Sequence, residues 1–234
     1  MNFKELLKKL SYVGVDLNYS LDSGLTIGGV NLSLSRHPYA KRSSAALKRC
    51  LAIKPKRVLD VGSGGGEHAK AFNECGAEVT CVDFGTSIYA KNFSAIHGVS
   101  VINADFQNWQ NQSTYDLVWA SHVLEHQRNC GAFIEKLIDC CDPGGKIAIT
   151  VPTPHRRLWG GHLSQWTPGL LAYNIVLCGV DLSDSMIFYG YREISIIFTP
   201  KRAKLPQLTF DSGDLLLLRN LLPHNFSENV DSWI

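Results

Sequence analysis

Two hydrophobic patterns alternate along the chain. Continuous apolar runs bounded by glycine or acidic residues occur at "RVLDVG" (57–62), "EVTCVD" (78–83), "VSVINAD" (99–105), "YDLVWAS" (115–121) and "GGKIAITVP" (144–152), and they predict five buried strands. Between them the apolar residues are spaced, as a helix spaces them. Residues 67–76 stop at Gly76, residues 86–98 open on Thr/Ser and stop at Gly98, and residues 130–141 form an amphipathic segment. Strand–helix alternation predicts an α/β fold, a Rossmann-like, doubly wound, mostly parallel sheet with helices on both faces. The pair "DSMIFYGY" (184–191) and "EISIIFTP" (193–200) predicts a closing hairpin and therefore an antiparallel C-terminal strand.

Three regions lie outside the alternation and suggest the domain boundaries. Residues 1–50 read as an N-terminal helical or lid segment: a short helix, a Gly/Ser/Asn-rich stretch and a second helix, "SSAALKRCLAI". Residues 51–200 read as the core, with an acceptor-side insertion at 153–180, and residues 201–234 as a tail. In the insertion, "WTPGLLAYNIVL" predicts a helix with Pro168 in its first turn. The stretch "SRHPYAKRSSA" (35–45) reads either as a lid, with His37 and Tyr39 as contacts, or as a surface linker.

The chemistry lies at the strand ends. In parallel sheets ligands bind at the carboxyl ends of the strands, and here those ends carry Asp60, Asp83, Asp105 and Ser121. The first is followed by "GSGGGE", four glycines in five residues. The dinucleotide fingerprint fails, because Glu67 stands where its third glycine belongs, and the phosphate loop fails for want of a following Lys-Ser/Thr. Asp60 and Glu67 flank the loop, and two carboxylates disfavour pyrophosphate. They favour a cationic ligand without phosphate, of which S-adenosylmethionine is a common example.

These segments resemble the motifs of class I S-adenosylmethionine-dependent methyltransferases, in their small-molecule, type 11/23-like branch. "LDVGSGGGEHA" is similar to the first motif, with Gly62, Gly64 and Gly66 matching position by position and Ser63 between them. "VTCVD" resembles the next, so the resemblance implies that Asp83 binds the ribose hydroxyls and Phe84 packs on the adenine. "NADF" implies an adenine contact by Asp105 and Phe106. "YDLVWASHVLEH" (115–126) and "DPGGKIAITVP" resemble the fourth- and fifth-strand motifs, with Ser121 and His122 on the cofactor side. The likeness spans roughly residues 55–200.

Methyl transfer needs alignment of nucleophile, methyl and sulfur, and an oxygen nucleophile is helped by a base. The resemblance implies His126, which ends the fourth-strand motif, as that base. His155 and His162 lie in the insertion with Arg156, Arg157, Trp159, Gln165, Trp166 and Tyr173, a composition suited to an anionic or sugar-like acceptor. "HVLEH" also satisfies the inverted zinc-protease signature H-x-x-E-H, but it follows a strand and precedes a break, so no metal is assigned. A looser alternative is an accessory divalent cation on Glu125 and His126.

Composition narrows the partners. The 234 residues carry a net charge of +2, with no basic stripe, which gives no reason to expect nucleic acid. The start lacks an apolar run long enough for a signal peptide, and no segment reaches membrane-spanning length. Seven cysteines, an odd number without a C-x-x-C pair, read as buried free thiols in a reducing compartment, the cytoplasm. The expectation is a monomeric or homodimeric enzyme acting on a small-molecule acceptor, by O-methylation of a sugar, phenol or other metabolite hydroxyl. The alternatives are N-directed methylation and a non-catalytic module that binds S-adenosylmethionine or S-adenosylhomocysteine.

Overall fold

A computed structural model describes residues 18–20, 24–27, 30–32, 42–93, 95–157, 159–190 and 192–224. The chain divides into two units, Met1–Lys41 and Arg42–Ile234. In the first, β1 (Asn18–Ser20), β2 (Gly24–Ile27) and β3 (Val30–Leu32) form an antiparallel sheet. These strands depart from the helical segment expected for residues 1–50; the local signal for them is a Gly-Gly dipeptide between two strand-forming triplets. The expected N-terminal helix and lid contacts His37 and Tyr39 lie outside the described residues.

The second unit follows the predicted alternation. After α1 (Ser44–Ala52) come β4 (Arg57–Val61), α2 (Glu67–Glu74), β5 (Glu78–Asp83), β6 (Val99–Asn103), β7 (Tyr115–Ser121), α3 (Cys130–Asp139) and β8 (Cys141–Pro152). Then follow α4 (Pro168–Leu177), β9 (Val180–Asp181), β10 (Met186–Gly190), β11 (Glu193–Phe198), β12 (Lys201–Arg202) and α5 (Asp214–Leu218). Seven strands form one sheet in the order β10-β11-β8-β7-β4-β5-β6. β4 to β8 are parallel, and β11 runs antiparallel to both β8 and β10.

The strands separate two packed faces. Leu59, Val61, Val118, Ala120, Ile147 and Ile149 share one core with Phe133, Ile134 and Leu137 of α3 and Leu171 and Ile175 of α4. On the other face the fully buried Trp119 meets Phe72 and His68 of α2 edge-on. Arg49 of α1 lies 4.1 Å over the Phe188 ring of β10. The predicted caps are in place: Thr167 accepts from Leu170 N, with Pro168 at the first position of α4. Leu218 and Leu222, in the expected tail, belong to the core.

One predicted helix is replaced. Residues 86–98 hold only a 3₁₀ turn, Ala90–Asn92. Ser87 Oγ accepts from Ala90 N at 2.9 Å, a local turn that competes with helical hydrogen bonding. Phe93 is drawn over the glycine loop, close enough that a Cβ on Gly66 would meet its ring at 2.4 Å. Thr86, Ile88 and Tyr89 add residues of indifferent helix propensity.

Candidate active site

The order of strands reverses between β4 and β7, which opens a crevice at their carboxyl ends. Register places the polar residues in one row. Asp83 pairs with Asn103, Ser121 with Thr150, and Thr150 with Ser195, while Gly62 N donates to Val82 O at 2.8 Å. The loop after β4 leaves the sheet through Gly62, Gly64 and Gly66, all left-handed at φ 71, 52 and 81°. Side chains rarely adopt that conformation, so alternate glycines are the local solution. Gly62 has a second reason: a Cβ there would stand 2.3 Å from Val123 Cγ2. The loop is thus packed directly against the turn after β7.

Asp60 is buried, and its Oδ2 has no partner among the described residues. Burial, reinforced by the charges of Asp83 and Glu67, pushes its carboxyl up to about 8, although Ala69 N–H in the first turn of α2 works the other way. An orphaned, buried acid beside two others is a site short of positive charge. Asp83 holds the loop, its Oδ2 accepting from Gly64 N at 3.0 Å and its Oδ1 from Gly85 N at 2.8 Å. Lone pairs remain on both oxygens for a diol. Phe84 is 62% exposed, available to lie against a flat ring. These residues fit an adenosyl compound bearing positive charge.

The other sequence-designated residues are distributed less evenly. Asp105 closes a local turn, accepting from Gln107 N at 3.0 Å and Asn108 Nδ2 at 2.7 Å. The Phe106 side chain lies in the core against Phe133 and Trp109. Ser63 Oγ is buried without a hydrogen-bond partner among the described residues. Ser121 Oγ lies 2.6 Å from Ser43 Oγ. His122 has left-handed φ 57°, with Nδ1 3.3 Å from Glu125 Oε1 and Nε2 3.3 Å from Glu193 Oε2. Burial opposes its charge, but the two carboxylates more than reverse this and push the imidazole up to about 9.

Five residues at this edge carry no sequence-based assignment: Arg42, Ser43, His68, Trp119 and Glu193. Glu193 begins β11 at this edge and, besides His122, accepts from Ser43 N at 2.8 Å. Trp119 Nε1 donates to His68 Nδ1 at 3.3 Å, so His68 Nε2 donates to Arg42 O at 3.2 Å. Residues 42 and 43 are therefore tied to the sheet edge at two points, Ser121 and Glu193, and to α2 at a third. The available signal for Glu193 was an acid opening an otherwise apolar strand.

On the acceptor side, Leu163 N donates to Glu125 O at 2.7 Å and fastens the insertion to the turn Leu124–His126. His126 and His162 rings lie 4.9 Å apart, and His155 stacks near Trp159 at 4.1 Å. His155, Arg157, Trp159, His162 and Gln165 line a cavity of about 130 Å³. Burial lowers the His162 imidazole, and His126 and His155 add to this against the opposing pull of Glu125.

A seven-stranded sheet with one reversed strand, a glycine loop after its first parallel strand and acids at successive strand ends defines a class I methyltransferase fold. The chain belongs to the methyltransferase-domain family, whose profile matches residues 35–187, and S-adenosylmethionine is the methyl donor of that class. It is 27% identical over 127 residues to trans-aconitate 2-methyltransferase of Escherichia coli, covering 52% of this chain and 50% of that protein. It is 32% identical over 99 residues to ubiquinone biosynthesis O-methyltransferase of Colwellia psychrerythraea, covering 39% of each. The chain thus spans about half the length, or less, of these curated relatives. Among solved structures it resembles 1,6-didemethyltoxoflavin-N1-methyltransferase of Burkholderia thailandensis with bound 1,6-didemethyltoxoflavin and S-adenosylhomocysteine. There the TM-score is 0.55 at 20% identity, over 73% of this chain and 83% of that one. Among the described residues no helix is long and apolar enough to cross a membrane.

Proposed function

We propose that this protein methylates a hydroxyl oxygen of a small polar or anionic acceptor. When bound, S-adenosylmethionine supplies a methyl group activated by its sulfonium. Asp60 and Glu67 provide negative charge for its cationic end, Asp83 takes the ribose hydroxyls, and Phe84 flanks the adenine. Ser63, Asp105, Ser121 and His122 complete the surroundings, and the Phe106 side chain supports them from the core.

The observation that carries the reading is the contact of the His126 ring with Gly161. Its Nδ1 lies 2.6 Å from Gly161 O, a carbonyl that only accepts, so Nδ1 holds the proton and the neutral ring carries its lone pair on Nε2. That nitrogen accepts the hydroxyl proton as the oxygen–methyl bond forms and the carbon–sulfur bond breaks, the electron pair remaining on sulfur. Arg157 in the cavity wall favours an acceptor with negative charge, in line with the substrate named for the Escherichia coli relative. O-direction agrees with the name of the Colwellia relative. Free thiols at all seven cysteines fit a reducing compartment.

The test is incubation of the protein with isotopically labelled S-adenosylmethionine and pooled metabolite extract, followed by mass identification of the product. A labelled methyl ether supports the reading, and a labelled methyl ester, formed on a carboxylate oxygen that needs no base, overturns the hydroxyl acceptor and the role of His126. Label on nitrogen overturns its O-direction, and binding of the donor without any turnover overturns catalysis.

A further inference from the structure

We propose that Glu125, His126 and His162 form a binding site for a divalent transition cation of borderline softness, of which zinc is the type. The inference goes beyond the methyltransfer reading and does not rest on it. One ligand atom from each of the three residues lies within 4.8 Å of the other two. Donors around a tetrahedral zinc stand about 3.4 Å apart, from metal–ligand bonds of about 2.1 Å. Closing that gap takes small side-chain rotations, for which there is room on the solvent side: His126 is 42% exposed at its side chain, and His162 is partly exposed.

The independent observation is Glu125. Its side chain is fully buried, yet neither Oε1 nor Oε2 has a hydrogen bond among the described residues. His122 Nδ1 lies 3.3 Å from Oε1, a charge contact without hydrogen-bond alignment. Across from it, His126 Nε2 stands 3.9 Å from the same oxygen. His122 faces Oε1 and is shared with Glu193, but Oε2 is left buried with no partner among the described residues, and an open buried carboxylate oxygen is costly unless a further positive partner belongs there.

The surroundings are built as metal sites are built. Gly161 O accepts from His126 Nδ1, which turns Nε2 toward Glu125; a histidine ligand commonly gives its other N–H to a backbone carbonyl in this way. Gly161 has φ 83°, and a Cβ there would stand 3.1 Å from His126 Nδ1, so glycine permits the close approach. His162 is placed by its neighbours, with Leu163 N and Ser164 N both donating to Glu125 O at 2.7 and 3.3 Å. Two imidazoles and one carboxylate suit zinc, manganese or ferrous iron and not magnesium or calcium, which take oxygen ligands. Three protein donors leave a coordination position open. His162 also lines the 130 Å³ cavity with Arg157 and Gln165, so that position adjoins the proposed acceptor site. With a cation held by Glu125, His126 and His162, the His126 lone pair would serve as a ligand in place of its role as base, and the metal would supply Lewis acidity to an acceptor hydroxyl.

The experiment is a titration of the full chain, stripped with chelator, with cobalt(II) and zinc(II). It is followed by calorimetry and by the visible absorption of cobalt, in the absence of methyl donor. One equivalent bound with a low-symmetry cobalt spectrum is expected, with affinity lowered at least about tenfold in His162→Ala and in Glu125→Gln. Magnesium(II) at the same concentrations is expected to give no heat. S-adenosylmethionine affinity and circular dichroism of His162→Ala verify that its fold is kept. Should Glu125→Gln fail to fold, His126→Gln takes its place. No saturable cobalt binding, or binding unchanged in the variants, overturns the site. Metal binding without donor binding would instead overturn the methyltransfer reading and leave the cation site standing.

Discussion

At the scale of single residues, the cofactor side and the acceptor side separate cleanly by what their loss should do. Asp83 serves twice, as an acceptor for Gly64 N and as the proposed ribose ligand. Asp83→Ala is expected to weaken S-adenosylmethionine binding about tenfold or more, measured by calorimetry, since a half-buried charge-assisted contact is lost and the loop is released. His126→Ala is expected to lower kcat by about a hundredfold or more while leaving donor affinity within twofold. Equal losses in both would place His126 in the donor pocket. Much of this was legible in the sequence, because Asp60, Asp83 and Ser121 occupy strand ends that periodicity alone locates. Phe106 was legible only in part. Its position after Asp105 was clear, but no sequence pattern told that its ring turns to Phe133. Glu193 and Ser43, 150 residues apart, meet only through sheet register, which no local pattern encodes.

At the scale of elements, the strands of the large sheet formed close to where apolar runs placed them, because a strand buried on both faces must be apolar along its length. The 86–98 segment failed because its spacing is helical while its capping chemistry favours a turn, and because Phe93 finds burial at the glycine loop. That loop and the turn after β7 act as one packed unit. Gly62→Ala is expected to destabilise the protein by about 2–4 kcal/mol in denaturant unfolding, the sum of left-handed strain and overlap with Val123. Val123→Ala in the same chain should recover the overlap and not the strain, so the double variant should regain about half. Full recovery would mean that the backbone conformation costs nothing.

At the scale of the whole molecule, the proposed donor site joins stability to donor binding through Asp60. Its folded value of about 8 lies above the ordinary carboxyl value of about 4. The proton is therefore held more tightly by the folded state. The stability this contributes is complete below about pH 4 and is lost as pH rises through about 8. The free protein is expected to lose on the order of 2–4 kcal/mol between pH 4 and pH 9 on this account, read from denaturant midpoints. Asp60→Asn should flatten that profile. Saturating S-adenosylmethionine should also flatten it, since its positive charge takes the place of the proton. The direction of β11 has a separate outcome for how the protein is made. Because that strand is reversed, its beginning, not its end, reaches the rim where the parallel strands finish, and it delivers Glu193 there. A chain emerging from the ribosome can lay down the glycine loop and the ribose acid early, but His122 and Ser43 wait for a partner translated long after them. Affinity for the donor should accordingly arise late in synthesis, only after β11 has cleared the exit tunnel.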